Sequence, residues 1–276
     1  MVGRPQGSIP EPEYFEDVPE EEQYDEEPPV EIPMGITEAE YTVHDGGILA
    51  GMPALIVKVF SCNLQCVYCD VISPKRVDRG YNSDTMIPLL VGHADIDLVF
   101  TGGEPFLQPD ALGFLINVGV DARREFGYNT NIMVETNGTI SPEILRRNRY
   151  KESRVSDDKL NSIIWSINPK FHSSREEWSK TRFSEFFKFP TVEVRMTVNP
   201  FDPDDLFDMR RVYSLIPDNV NLVVQPVVQD LDSHDHESYQ NSLNEIYKVI
   251  IDERLSKIRI VPQLHKVIWG MTRESI

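Results

Sequence analysis

From Ile36 onward the chain repeats one pattern: a short apolar run, a polar or glycine-rich loop, then a stretch with helical spacing. The apolar runs are Ala54–Phe60, Ile96–Phe100, Asn131–Val134, Ser162–Trp165, Val192–Val198 and Asn221–Val224. They are strand-length and rich in β-branched and aromatic residues. Between them lie helix candidates at Pro109–Phe126, Pro142–Arg149, Arg175–Phe187, Pro203–Leu215 and Ser238–Leu255. Ser141-Pro142-Glu143 begins one of these with a cap residue followed by proline at the first helical position. Short strands alternating with helices predict βαβ units, a parallel sheet and the α/β class. No internal sequence repeat is visible.

The segment ahead of this pattern is different in kind. Residues 1–33 hold eleven acidic residues against Arg4 alone, and seven prolines. Such a composition cannot bury enough apolar surface to offset chain entropy. It predicts a disordered acidic tail over 1–33 and one folded domain over 34–276. The whole chain carries a formal charge of -18. That balance argues against nonspecific nucleic-acid or anionic-membrane binding, because both need neutralising cations. Neither a signal peptide nor a membrane span is evident, and three clustered cysteines do not make a disulfide framework. The expectation is a cytoplasmic protein.

All three cysteines, Cys62, Cys66 and Cys69, fall within KVFSCNLQCVYCD, directly behind the first apolar run. Three soft donors on one loop suit zinc, copper or an iron-sulfur cluster. A structural zinc normally takes four protein ligands, so zinc would need a distant histidine. A four-iron cluster on three cysteines keeps one iron open for chemistry. Polar residues also gather just after the other strands: TGGEP after Phe100, ETNGT after Val134, SINPK after Trp165 and QP after Val224. Ligands of parallel sheets and barrels sit at these carboxyl ends. Gly102 and Gly103 let backbone approach a ligand closely, and Glu104 beside them can pair with an ammonium group.

The spacing C-x3-C-x-aromatic-C, with Tyr68 as the aromatic, resembles the signature of the radical S-adenosylmethionine (SAM) superfamily. TGGEPFLQ, VETNGT, WSINPK and the terminal PQLHKVIWG together resemble the 7-carboxy-7-deazaguanine synthase family of 7-deazapurine biosynthesis, over roughly Ile36 to Gly270. The resemblance implies a partial (β/α)6 radical SAM barrel. It also implies a lyase that contracts the ring of 6-carboxy-5,6,7,8-tetrahydropterin with loss of ammonia, reusing SAM. Cys62, Cys66 and Cys69 would hold a [4Fe-4S] cluster. Tyr68, Gly102, Gly103, Glu104, Asn137, Ser166 and Gln225 would contact SAM, and Thr101, Glu135 and His265 the pterin. Magnesium, a flavodoxin-type electron donor and a homodimer are implied in the same way.

The chain departs from the family on the substrate side. Thr42-Val43-His44-Asp45-Gly46-Gly47 stands where the family has S-I-Q-G-E-G, so His44 and Gly46 replace a substrate-binding Gln and Glu; Asp45 is the nearest carboxylate. Lys58 stands for an arginine that grips the substrate carboxylate, keeping its charge but losing the bidentate fork. Val71 replaces a threonine that helps ligate magnesium and offers no oxygen to a hard cation. Two further readings stay open: another radical SAM enzyme acting on a related carboxylate, and a noncatalytic relative that binds partners.

Overall fold

The computed structural model describes residues 31–69, 80–227 and 236–269. Eight strands form one sheet: β1 (Ile36–Val43), β2 (Pro53–Val59), β3 (Asp97–Gly102), β4 (Ile132–Thr136), β5 (Ile163–Ile167), β6 (Thr191–Val198), β7 (Asn221–Pro226) and β8 (Ile258–Ile260). They lie side by side in sequence order. β1 is antiparallel to β2, and all other neighbours are parallel. Parallel neighbours need a crossover after each strand, which is what the helical segments supply. These are α1 (Ser83–Gly92), α2 (Pro109–Phe126), α3 (Asp157–Asn161), α4 (Phe183–Phe186), α5 (Pro203–Leu215), α6 (His236–Asp252) and α7 (Leu264–Trp269). All six expected strands are present, and α2 and α5 have the expected bounds. Among the described residues no helix is long and apolar enough to cross a membrane.

Strand side chains alternate between two faces, and the two faces differ in chemistry. One carries the main core, including Val57, Phe100, Val134, Trp165, Val194 and Val224, packed with helical side chains. Trp165 is fully buried there, with Phe189 at 5.1 Å and Phe106 stacked at 5.9 Å between ring centroids. The opposite face has a small apolar cluster of Ala54, Ile56, Val99, Met133 and Ile164, with Leu49. One step further along the same strands this face turns polar, at Lys58, Thr101, Glu135, Ser166, Glu193 and Arg195. The apolar cluster is thus a floor beneath a polar layer at the carboxyl ends.

Several expectations are corrected. Ile32 and Met34 are buried in the main core, so the folded body begins inside the segment assigned to the tail. The rest of that tail, residues 1–30, lies outside the described residues, as do Asp70 and Val71. Pro142–Arg147 is a 3-10 run rather than an α-helix. The helix expected over Arg175–Phe187 reduces to a 3-10 turn at Trp178–Lys180 and the single turn of α4. Arg175 adopts φ 63°, a left-handed conformation that cannot continue a right-handed helix. β1, β8 and α1 were not foreseen; α1 carries an Asn82–Thr85 capping box but also Pro88 in its interior, which obscures its pattern.

Candidate active site

The cysteine loop leaves β2 and is fastened at once to the end of β3. Gly103 N–H donates to the Val59 carbonyl at 3.0 Å, and Glu104 N–H to the Ser61 carbonyl at 2.7 Å. This contact explains both glycines. Gly102 sits at φ 105°, and a Cβ there would come within 2.5 Å of the Val59 nitrogen; a Cβ on Gly103 would lie 2.1 Å from the Ser61 oxygen. No side chain fits at either position. The close approach is therefore between two backbones, where the sequence suggested an approach to a ligand.

Glu104 has a similar tying role. It is completely buried, and its carboxylate accepts from Phe106 N–H (3.1 Å), Thr136 Oγ1 (2.8 Å) and Asn137 N–H (2.7 Å). Burial pushes its pKa up, against the pull of these donors. Asn137 passes the connection back to the loop: its Nδ2 donates to Asn63 Oδ1 at 2.9 Å and lies 3.9 Å from Cys62 Sγ. The ends of β3 and β4 and the cysteine loop are one hydrogen-bonded unit.

Cys62, Cys66 and Cys69 are half-buried and unpaired in disulfides. Burial pushes the Cys66 thiol up to about 11 and also raises Cys62, and the Lys170 ammonium opposes both. Lys170 is also the cation near Glu104. Three free thiols on one braced loop, with a cation at hand to offset thiolate charge, fit a cluster ligated by three cysteines. Tyr68 is half-buried on this loop with its hydroxyl inside, and burial raises the pKa of that hydroxyl.

The polar layer centres on Glu135. Its carboxylate accepts from Thr101 Oγ1 at 2.6 Å, meets His44 Nε2 at 3.0 Å and forms an ion pair with Arg195. Burial alone would raise the Glu135 pKa, but Arg195, then His44, outweigh it and hold it at about 2. Burial would lower that of His44; the hydrogen bond and charge of Glu135 reverse the direction, and it is raised. Glu193, also fully buried, accepts from Ser166 Oγ and from Ile48 N–H, each at 2.5 Å, and so clamps the loop after His44. Gly47 at φ 67° leaves room for that clamp, since a Cβ there would lie 2.5 Å from Glu193 Oε1. The Asp45 carbonyl accepts from Leu264 N–H at 2.8 Å, joining the same loop to α7.

The fold gathers His44, Thr101 and Glu135 into one hydrogen-bonded group, with Ser166 opposite Glu135 on the next strand. Some placements differ. The Ser166 hydroxyl is bonded to Glu193, so a direct contact with SAM would require it to turn. Lys58 faces the polar side, as its parity predicts, but its Nζ is held by Glu38 Oε2 at 2.7 Å. β1 also covers β2, so Lys58 is not on an open edge. Gln225 Nε2 meets Thr197 Oγ1 at 3.1 Å, on the strands opposite the cysteine loop. The His265 side chain lies outside the described residues. Sequence reasoning missed Arg195, Glu193 and Lys170. In VEVRMTV the polar residues occupy alternate positions of an otherwise apolar strand, which was the available signal for the first two.

No family model matches the sequence. A crystal structure of QueE from Escherichia coli aligns with TM-score 0.53 at 16% identity, covering 84% of this chain and 94% of that one. An anSMEcpe structure with bound AdoMet aligns with TM-score 0.50 at 15% identity, covering 80% and 68%. The class is thus set by architecture: an α/β protein with a mostly parallel sheet, the fold it shares with both of those structures.

Among curated proteins, the 7-carboxy-7-deazaguanine synthase of Clostridium acetobutylicum is 23% identical over 87% of this chain and 98% of its own length. That of Halobacterium salinarum is 25% identical over 88% and 93%. That of Thermoplasma acidophilum reaches 34%, over 39% of this chain and about half of its own length (48%). Over most of its length the chain is thus similar, at 23–25% identity, to proteins named 7-carboxy-7-deazaguanine synthase.

Proposed function

We propose that this protein is a radical SAM lyase that converts 6-carboxy-5,6,7,8-tetrahydropterin to 7-carboxy-7-deazaguanine with loss of ammonia, in 7-deazapurine biosynthesis. The observation that carries the reading is the bracing of the three-cysteine loop on the ends of β3 and β4, in a chain related along most of its length to synthases of that name. Cys62, Cys66 and Cys69 would hold a [4Fe-4S] cluster. Reduced by an external donor and with SAM bound, that cluster would supply the one electron that splits SAM into methionine and a 5′-deoxyadenosyl radical able to take a hydrogen atom from the substrate.

The chain's own residues position the two molecules and exclude water. Gly102 and Gly103 would offer only carbonyl oxygens to the amino group of SAM, since the Gly103 and Glu104 N–H groups and the Glu104 carboxylate are already bonded. Tyr68, within the cysteine loop, and Asn137, bonded to Asn63 of that loop, would contact SAM. Glu135, with His44, Thr101 and Arg195 about it, is the acceptor that the pterin ring meets. A flavodoxin-type donor, a homodimer and a cytoplasmic location belong to the same proposal. Magnesium would bind without help from Val71, through water, or be dispensable.

One observation favours a second reading, a radical SAM enzyme with another substrate. Lys58 and Arg195, the two cations of the polar layer, both hold protein carboxylates already. Anaerobic turnover separates the two readings. The first predicts 7-carboxy-7-deazaguanine by mass spectrometry; SAM cleavage without that product would favour the second.

A further inference from the structure

We infer that Gly46, Arg195 and Gln225 form a recognition subsite for the neutral lactam edge of the substrate, its ring C=O and a neighbouring N–H, rather than for its carboxylate. This rests on the pterin reading given above.

The first observation is the glycine itself. Gly46 has φ -163° and ψ -175°, an extended conformation open to any residue. Backbone strain therefore does not require glycine here, unlike at Gly47. What a side chain would meet is polar: a Cβ on Gly46 would lie 3.1 Å from both Arg195 Nη1 and Gln225 Oε1. A side chain here would press on one donor and one acceptor at once, both lying against the same point of the loop.

The second observation is independent of the first. Buried polar atoms are nearly always paired. Yet Gln225 Oε1 and Arg195 Nε are buried without a hydrogen-bond partner among the described residues, as is His44 Nδ1 in the same network. Arg195 and Gln225 are each 4% exposed. A ligand C=O can accept from Arg195 Nη1 while its adjacent N–H donates to Gln225 Oε1, so that one planar group meets the donor and pairs the orphan acceptor.

Charge decides between a lactam and a carboxylate. Arg195 is ion-paired with Glu135, has Glu193 Oε1 at 3.8 Å and feels the Asp45 carboxylate. Three acids already surround this one guanidinium, so a further anion would meet net repulsion. A neutral edge would not.

The test is a fluorescence titration of the full-length reconstituted protein with three probes. These are pterin, 6-carboxypterin and 2,4-diaminopteridine, in which an amine replaces the ring C=O. The inference expects pterin to bind at least about tenfold more tightly than the diamino probe. Gly46→Ala should weaken pterin and 6-carboxypterin by the same factor, at least about tenfold, with the thermal midpoint little changed. If that variant fails to fold, Gln225→Leu is read instead and should narrow the preference for pterin over the diamino probe. Equal binding of these two by the parent overturns the inference. So do unchanged affinities in the variants, or a loss confined to 6-carboxypterin, which would mean that the subsite reads the carboxylate. Turnover of 6-carboxytetrahydropterin, followed in parallel, separates the failures: product with unaltered pterin affinities removes only the subsite, whereas neither product nor pterin binding removes both.

Discussion

At the scale of single residues, the polar layer depends on Glu135, which balances a buried guanidinium and a buried imidazole. Removing one partner of a buried pair leaves the other charge uncompensated. Glu135→Gln should therefore cost about 3–5 kcal/mol of stability, read by urea unfolding at neutral pH. The pH dependence has two signs. Glu135 is held at about 2, below its ordinary 4.5, so its contribution is complete above about 4.5 and fades as pH falls toward 2. His44 is raised above its ordinary 6.5, so its contribution is complete below about 6.5 and is lost as pH rises through the folded value. Stability from this pair should be greatest between those limits, and His44→Gln should flatten the alkaline fall in a series of unfolding midpoints. The cysteines, Gly102, Gly103 and Glu104 were legible because short spacings in sequence mark them. The reason for the glycines was not, since the Val59 backbone that Gly102 must avoid and the Ser61 oxygen that Gly103 must avoid lie on another strand and the loop behind it. Arg195 was hidden because its meaning depends on Glu135, sixty positions away.

At the scale of elements, the strands and the polar rim could be read from the chain, because most of the parallel strands are apolar runs with a polar loop behind them. β1 could not: one of its faces carries Glu38, Glu40 and Thr42 and the other only Thr37, Ala39, Tyr41 and Val43, so it never forms an apolar run like those of the other strands. The Arg175 region failed for a local reason, one left-handed residue in a stretch of helical composition. Two substitutions test how elements hold the site. Gly103→Ala should break the seam between β3 and the cysteine loop, and the purified protein should then retain markedly less iron and sulfide after reconstitution than the parent. Trp165→Ala, on the opposite face of the sheet, should cost about 3–5 kcal/mol through the cavity it leaves, measured by denaturant unfolding. The two effects separate a local defect of the loop from a general loss of packing.

At the scale of the whole molecule, an apolar floor, a polar layer and a braced cysteine loop meet at one end of a single sheet. The sequence carried that plan, because the resemblance rested on motifs at strand ends and strand ends converge in a parallel sheet. It did not carry the internal pairing of Lys58 with Glu38 or of Arg195 with Glu135, which only the folded chain brings about. The most direct test of the proposed activity is anaerobic incubation of the reconstituted protein with SAM, a reductant and 6-carboxytetrahydropterin, with and without magnesium. The account predicts 7-carboxy-7-deazaguanine, with SAM undiminished. SAM cleaved to 5′-deoxyadenosine with no deazaguanine formed under either condition would contradict it and assign the pocket to another substrate.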